Sequence, residues 1–94
     1  MEIRFYIDPE TGEPHIYRHG VDEDEVEEVL TRPLEDHPGS EGTRVAVGRT
    51  DEGRYLRVIY VPDTEGHSVF VITAYSLGWK ALGALRRRLK RRRR

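Results

Sequence analysis

A histidine set between an arginine and a glycine, Arg18-His19-Gly20, is the residue of this chain best suited to acid–base work. An imidazole in water titrates at about 6.5, so it can take or give a proton near neutrality. RNA cleavage by attack of a 2′-hydroxyl on its own phosphate needs such a group. It calls for a proton acceptor, a proton donor and positive charge at the phosphate. Arg18, Arg44 and Arg57 carry guanidinium forks that match phosphate oxygens, and Tyr60 or Tyr75 offers a ring for stacking or a hydroxyl for proton transfer. The competing reading is that these arginines pair with the 17 acidic residues and the tyrosines fill a small core. Arg57 is the most telling of them, because it interrupts the apolar Leu56, Val58 and Ile59. An unpaired buried charge is very costly, so Arg57 requires either an open sheet face or a carboxylate such as Glu2. His15 and His19 lie four residues apart, as two metal ligands on one helical face would. No glutamate stands between them and no third ligand is marked by spacing, so neither a metal nor another cofactor is expected. Hydrogen bonding just before a helix is their expected structural role.

The second chemical feature is charge. Residues 86–94, Arg-Arg-Arg-Leu-Lys-Arg-Arg-Arg-Arg, carry eight positive charges. Taking these from the 16 basic residues leaves eight in residues 1–85 against all 17 acidic ones, so the body is −9 and the tail +8. A block of like charge usually binds a polyanion or docks on an acidic surface, its own or a partner's; the bland alternative is a solubilising end with no binding role. Arg86, Arg87, Arg88, Lys90, Arg91 and Arg92 are the nucleic-acid-binding candidates of this segment, with Arg18 and Arg44 in the body.

These side chains have to be positioned by few elements. The 94 residues suffice for one domain with a modest core, taken as residues 1–85 followed by the basic end 86–94. Ile3, Phe5 and Ile7 alternate, which predicts a strand over 2–7. Turn residues fill 8–14, and Pro14 can open a single helical turn from His15 to His19. Asp22 with Glu25 three residues on forms a helix start, followed by a helix over 23–30. Val26, Val29 and Leu30 make its buried stripe, and Glu23, Asp24, Glu27 and Glu28 make an acidic outer face. Pro33 and the cluster 36–40 read as a loop. Strands are predicted over 43–49, 54–61 and 69–75, with 54–61 central because it is apolar on both faces. Trp79, Leu82, Leu85 and Leu89 predict a helix over 78–90, held to the core up to about residue 89; Lys90 to Arg94 has no apolar residue to bury and is expected to be mobile without a ligand. The fold class is α+β: an antiparallel sheet of three to four strands with both helices on one face.

The absence of cysteine excludes disulfides, thiolate metal sites and a cysteine nucleophile. No apolar run approaches the roughly 20 residues of a membrane span, and Met1-Glu2-Ile3-Arg4 is unlike a signal peptide, so an intracellular, cytoplasmic protein is expected. The chain contains no asparagine or glutamine and is rich in Glu and Arg, a bias of heat-adapted proteins. A melting midpoint above the mesophile range of about 45–65 °C is the measurable consequence.

Two segments carry a family resemblance. Arg18-His19-Gly20-Val21 leading into the helix that ends Glu27-Glu28-Val29-Leu30 is one; the other comprises 44–49, 53–60 and Val71-Ile72-Thr73-Ala74. In this order they resemble the BrnT-type toxins of bacterial toxin–antitoxin pairs, within the RelE/ParE-like group. The family's closing strand usually ends Ser-Ala-Arg; Thr73-Ala74-Tyr75 stands there. The resemblance implies a RelE-like fold and an RNA-cleaving toxin, monomeric or homodimeric. RNA, free or ribosome-bound, would be its target and an antitoxin its partner. His19, Arg57 and Tyr75 would be the catalytic residues. The alternatives are a non-catalytic nucleic-acid- or ribosome-binding module, and an interaction domain whose tail lies on an acidic surface.

Overall fold

The computed structural model describes residues 1–92. The chain forms β1 (Glu2–Phe5), a 3-10 turn (His15–His19), α1 (Glu23–Thr31), β2 (Glu35–Pro38), β3 (Arg44–Arg49), β4 (Tyr55–Pro62), β5 (Ser68–Ser76) and α2 (Trp79–Arg92). The class is α+β, and β4 is central as its apolar faces required. The sheet is larger than the expected three to four strands and is not wholly antiparallel. Its order is β1-β5-β4-β3-β2, and β1 runs parallel to β5. The added strand β2 occupies the stretch read as a loop. Its Glu35, Asp36, His37 and Pro38 pair with Val47, Ala46, Val45 and Arg44, so backbone bonds to β3 hold an edge that has no apolar alternation of its own.

Local signals build α1 as expected. The Asp22 side chain accepts from the Glu25 amide at 2.8 Å, and the Glu25 carboxylate accepts from the Asp22 amide at 3.1 Å. Val26 and Val29 are fully buried with Ala46, Leu56, Val58, Val71 and Ala74. Gly48 lets the helix come this close: a Cβ there would meet Val29 Cγ1 at 3.0 Å.

The helices lie on opposite faces, which corrects the expectation of one shared face. Neighbours along a strand point to opposite sides. Gly48, opposite Leu56, faces α1; Val47, opposite Arg57 and Glu35, faces away from it. That second face carries α2: Arg88 bonds Glu35, Arg86 lies over the Tyr55 ring, and Leu85 and Val47 are buried. A basic helix with one fully buried leucine has too little apolar surface to share the α1 core, so ion pairs seat it elsewhere. They also carry it past residue 89, where the sequence predicted the chain would loosen: Arg92 donates to Glu35 at 2.8 Å and to the Leu34 carbonyl at 3.3 Å. Arg93 and Arg94 lie outside the described residues.

Candidate active site

His19 owes its place to backbone devices at the end of the 3-10 turn. Gly20 closes the turn with φ +69°, a left-handed conformation that side chains rarely adopt. Ile16, fully buried, anchors the turn in the core. Arg54, just before β4, then pins the exit. Its Nη1 donates to the Gly20 carbonyl at 2.7 Å and to the Glu25 carboxylate at 3.1 Å, and its Nε donates to Ser76 Oγ at 3.0 Å. One guanidinium thus ties the turn to α1 and to the end of β5. Nothing local in the sequence distinguishes Arg54 from the other arginines.

Tyr75 reaches the same place through an irregularity in the sheet. Val61, Tyr60, Phe70 and Val71 set one register between β4 and β5; beyond Ile59 the register shifts, and Ile72 is the extra residue. Without that bulge Tyr75 would oppose Leu56 and point into the α1 core. With it Tyr75 opposes Arg57, and both face the α2 side.

The result is a continuous series of side chains. The ring centroids of Tyr6 and His15 are 6.0 Å apart, those of His15 and His19 5.4 Å, and those of His19 and Tyr75 5.9 Å. The Arg57 guanidinium lies 5.9 Å from the Tyr75 ring centroid. His19, Tyr75 and Arg57 therefore come together. Among the described residues Arg57 forms no ion pair, so it takes the open-face solution rather than a carboxylate partner. Nearby on the same face, the Thr73 hydroxyl is buried with no hydrogen-bond partner among the described residues.

The other candidates divide. Arg18 is spent on Asp8, to which its Nε donates, and approaches Glu10 at 3.6 Å. Arg44 opposes Tyr60 on the α1 face and bonds Asp36 at 2.9 Å, so it does not join Arg57. Tyr60 is buried on the α1 face and donates to the same Asp36, away from Tyr75 and Arg57. Arg88 and Arg92 grip Glu35, whose carboxyl is held below the usual range chiefly by the Arg88 hydrogen bonds. Arg86, Arg87, Lys90 and Arg91 form no ion pairs among the described residues and are exposed on α2. An open polar groove of about 660 Å³ lies between Arg57 and the Glu35-bound Arg88 and Arg92, with Asp36 and His37 on its wall.

Asp8 went unrecognised in the sequence because it stands in a run of turn residues. It is buried, accepts from the Glu10 amide at 2.9 Å, and lies 3.4 Å from His15 Nδ1. The Glu10 amide first, then Arg18 and His15, hold its carboxyl below the usual carboxylate value. Among the described residues no group of three or more His, Cys, Asp or Glu side chains is arranged to hold a metal ion. Nor is any helix there long and apolar enough to cross a membrane.

The sequence pattern of a family described as a domain of unknown function, DUF4258, matches residues 15–76, and the chain belongs to that family. The matched span runs from His15 through Ser76 and so contains His19, Arg57 and Tyr75. No curated protein and no solved structure matches the chain.

Proposed function

We propose that this DUF4258 domain is a cytoplasmic toxin-like ribonuclease of the BrnT type with a RelE-like fold, acting on RNA, free or on the ribosome, and held in check by an antitoxin. The observation that carries this reading is the contact of His19, Tyr75 and Arg57 on an open sheet face that α2 lines with cations. His19 supplies a proton-transfer group, Arg57 a fork for the scissile phosphate, and Tyr75 a ring for the adjoining base. Arg86, Arg87, Lys90 and Arg91, exposed on α2, draw the RNA backbone toward this side of the molecule by charge, without reading its sequence.

One observation favours a second reading. Arg88 and Arg92 sit on Glu35, so part of the basic segment already has an acidic seat within the chain. An interaction domain would use α2 in that way and leave RNA intact.

Purified protein incubated with single-stranded RNA and with ribosomes separates the two. The ribonuclease reading expects fragments ending in 2′,3′-cyclic phosphate and 5′-hydroxyl, growth arrest on induction, and loss of both in His19→Ala and Arg57→Ala. Intact RNA together with harmless expression overturns it.

A further inference from the structure

We infer that His15 is the second proton-handling residue of this site, the acceptor, and that Asp8 is the positioning residue that orients it. The inference rests on the ribonuclease reading above. Internal attack by a 2′-hydroxyl needs an acceptor and a donor, and His19 alone cannot hold both roles at one instant. The structure places a second imidazole 5.4 Å from the first, centroid to centroid.

The two histidines differ in their partners. The His15 side chain is 30% exposed and faces Asp8 from the turn after β1, whose side chain is 7% exposed. Arg18 on its own turn shares Asp8, and Glu10 backs Arg18. The Tyr6 ring flanks it on one side and His19 on the other, with Tyr75 and Arg57 beyond. An ionised carboxylate only accepts hydrogen bonds, so the contact with Asp8 selects the tautomer with the proton on Nδ1. That leaves the His15 Nε2 lone pair bare, the state a proton acceptor requires. The 3.4 Å separation is long for a hydrogen bond, as catalytic hydrogen bonds often are before substrate fills the site. His19 bonds no carboxylate among the described residues and packs on Tyr75, whose ring also carries Arg57, the fork assigned to the phosphate.

In the step that follows, the 2′-hydroxyl proton passes to His15 Nε2 and O2′ forms a bond to phosphorus. The bond from phosphorus to O5′ breaks, its electron pair stays on O5′, and that oxygen takes a proton from protonated His19. The products are a 2′,3′-cyclic phosphate and a 5′-hydroxyl. Asp8 then faces a cationic His15, and both imidazoles return to their starting states by proton exchange with water.

The test compares two RNA oligonucleotides of one sequence, the second with sulfur in place of the bridging 5′-oxygen at the mapped cleavage position. Sulfur leaves without a proton. His15→Ala and His19→Ala are each expected to slow cleavage of the natural RNA by about 10²–10⁴-fold. The sulfur substrate should restore His19→Ala and leave His15→Ala slow. Long-range proton–nitrogen NMR of the His15 ring should show the Nδ1-protonated tautomer in the wild type and its loss in Asp8→Asn. Thermal melts verify folding, and His15→Gln replaces His15→Ala if the latter unfolds. Cleavage by His15→Ala at the wild-type rate, rescue of His15→Ala by sulfur, or an Nε2-protonated wild-type ring overturns the inference while the ribonuclease reading stands. A wild type that cleaves neither RNA overturns both.

Discussion

Glu35 joins the sheet to α2, and replacing it by alanine tests that junction. Its side chain is 5% exposed and accepts from Arg88 Nε at 2.7 Å, Arg88 Nη2 at 2.9 Å and Arg92 Nη2 at 2.8 Å. Hydrogen bonds to charged groups contribute roughly 1.5–3 kcal/mol each where neither partner regains water. Here the arginine side chains are 43% and 53% exposed, so they rehydrate when freed. Their share then falls toward the roughly 0.2–1 kcal/mol of a surface pair. The expected net loss is about 2 kcal/mol, or about 8–16 °C in melting midpoint for a domain of this size. The sign with pH follows from Glu35, whose carboxyl is lowered in the fold chiefly by the Arg88 hydrogen bonds. Its contribution is whole above the ordinary glutamate value of about 4.3 and fades as pH falls through the lowered one. The gap between wild type and Glu35→Ala should therefore close in acid. The substitution also frees two cations, so under the ribonuclease reading the slope of log affinity against log salt should steepen by about 1.4–1.8. Calorimetry at neutral and acid pH, amide exchange along α2 and a salt titration of RNA binding are the assays. A midpoint drop under about 3 °C at neutral pH, or a gap unchanged in acid, refutes the reasoning.

Two further outcomes follow from single contacts. Gly48→Ala should cost about 1–3 kcal/mol in chemical denaturation, because the new methyl meets Val29 Cγ1 at 3.0 Å; an unchanged midpoint denies the close approach of α1. Tyr17 donates to Glu23 at 2.6 Å, and that hydrogen bond pushes its ionisation up to about 12. The fold thus favours the protonated phenol, so the stabilisation is whole below about 10 and is lost as pH rises through the raised value. Burial and the Asp36 bond also delay Tyr60, so the readout is the difference between chains: Glu23→Ala should bring one late tyrosine ionisation forward in near-ultraviolet titration, and a curve unchanged by the substitution would show the bond absent in solution.

Where neighbours in sequence suffice, the chain was legible. The Asp22–Glu25 capping pair, Gly20 at φ +69° and the alternation of β3, β4 and β5 set α1, the turn before it and the central hairpins through bonds spanning few residues. His19 and Arg57 stood out for the same reason: one interrupts no element and precedes a helix, the other breaks an apolar strand. Tertiary structure decided what depends on distant partners. β1 found β5 across most of the chain, and β2 exists only because β3 offers it a backbone edge. The side of the sheet taken by α2 was set by Glu35, a carboxylate that no local pattern links to Arg88 and Arg92. Tyr75 joined His19 and Arg57 only through the extra residue at Ile72, since shifting a strand by one position turns every later side chain to the opposite face. Asp8 stands beside His15 because the turn after β1 folds back and buries its carboxylate there, ten positions before Arg18, which it also holds. Periodicity and capping are properties of adjacent residues, whereas register, sheet face and burial arise from which distant backbones meet.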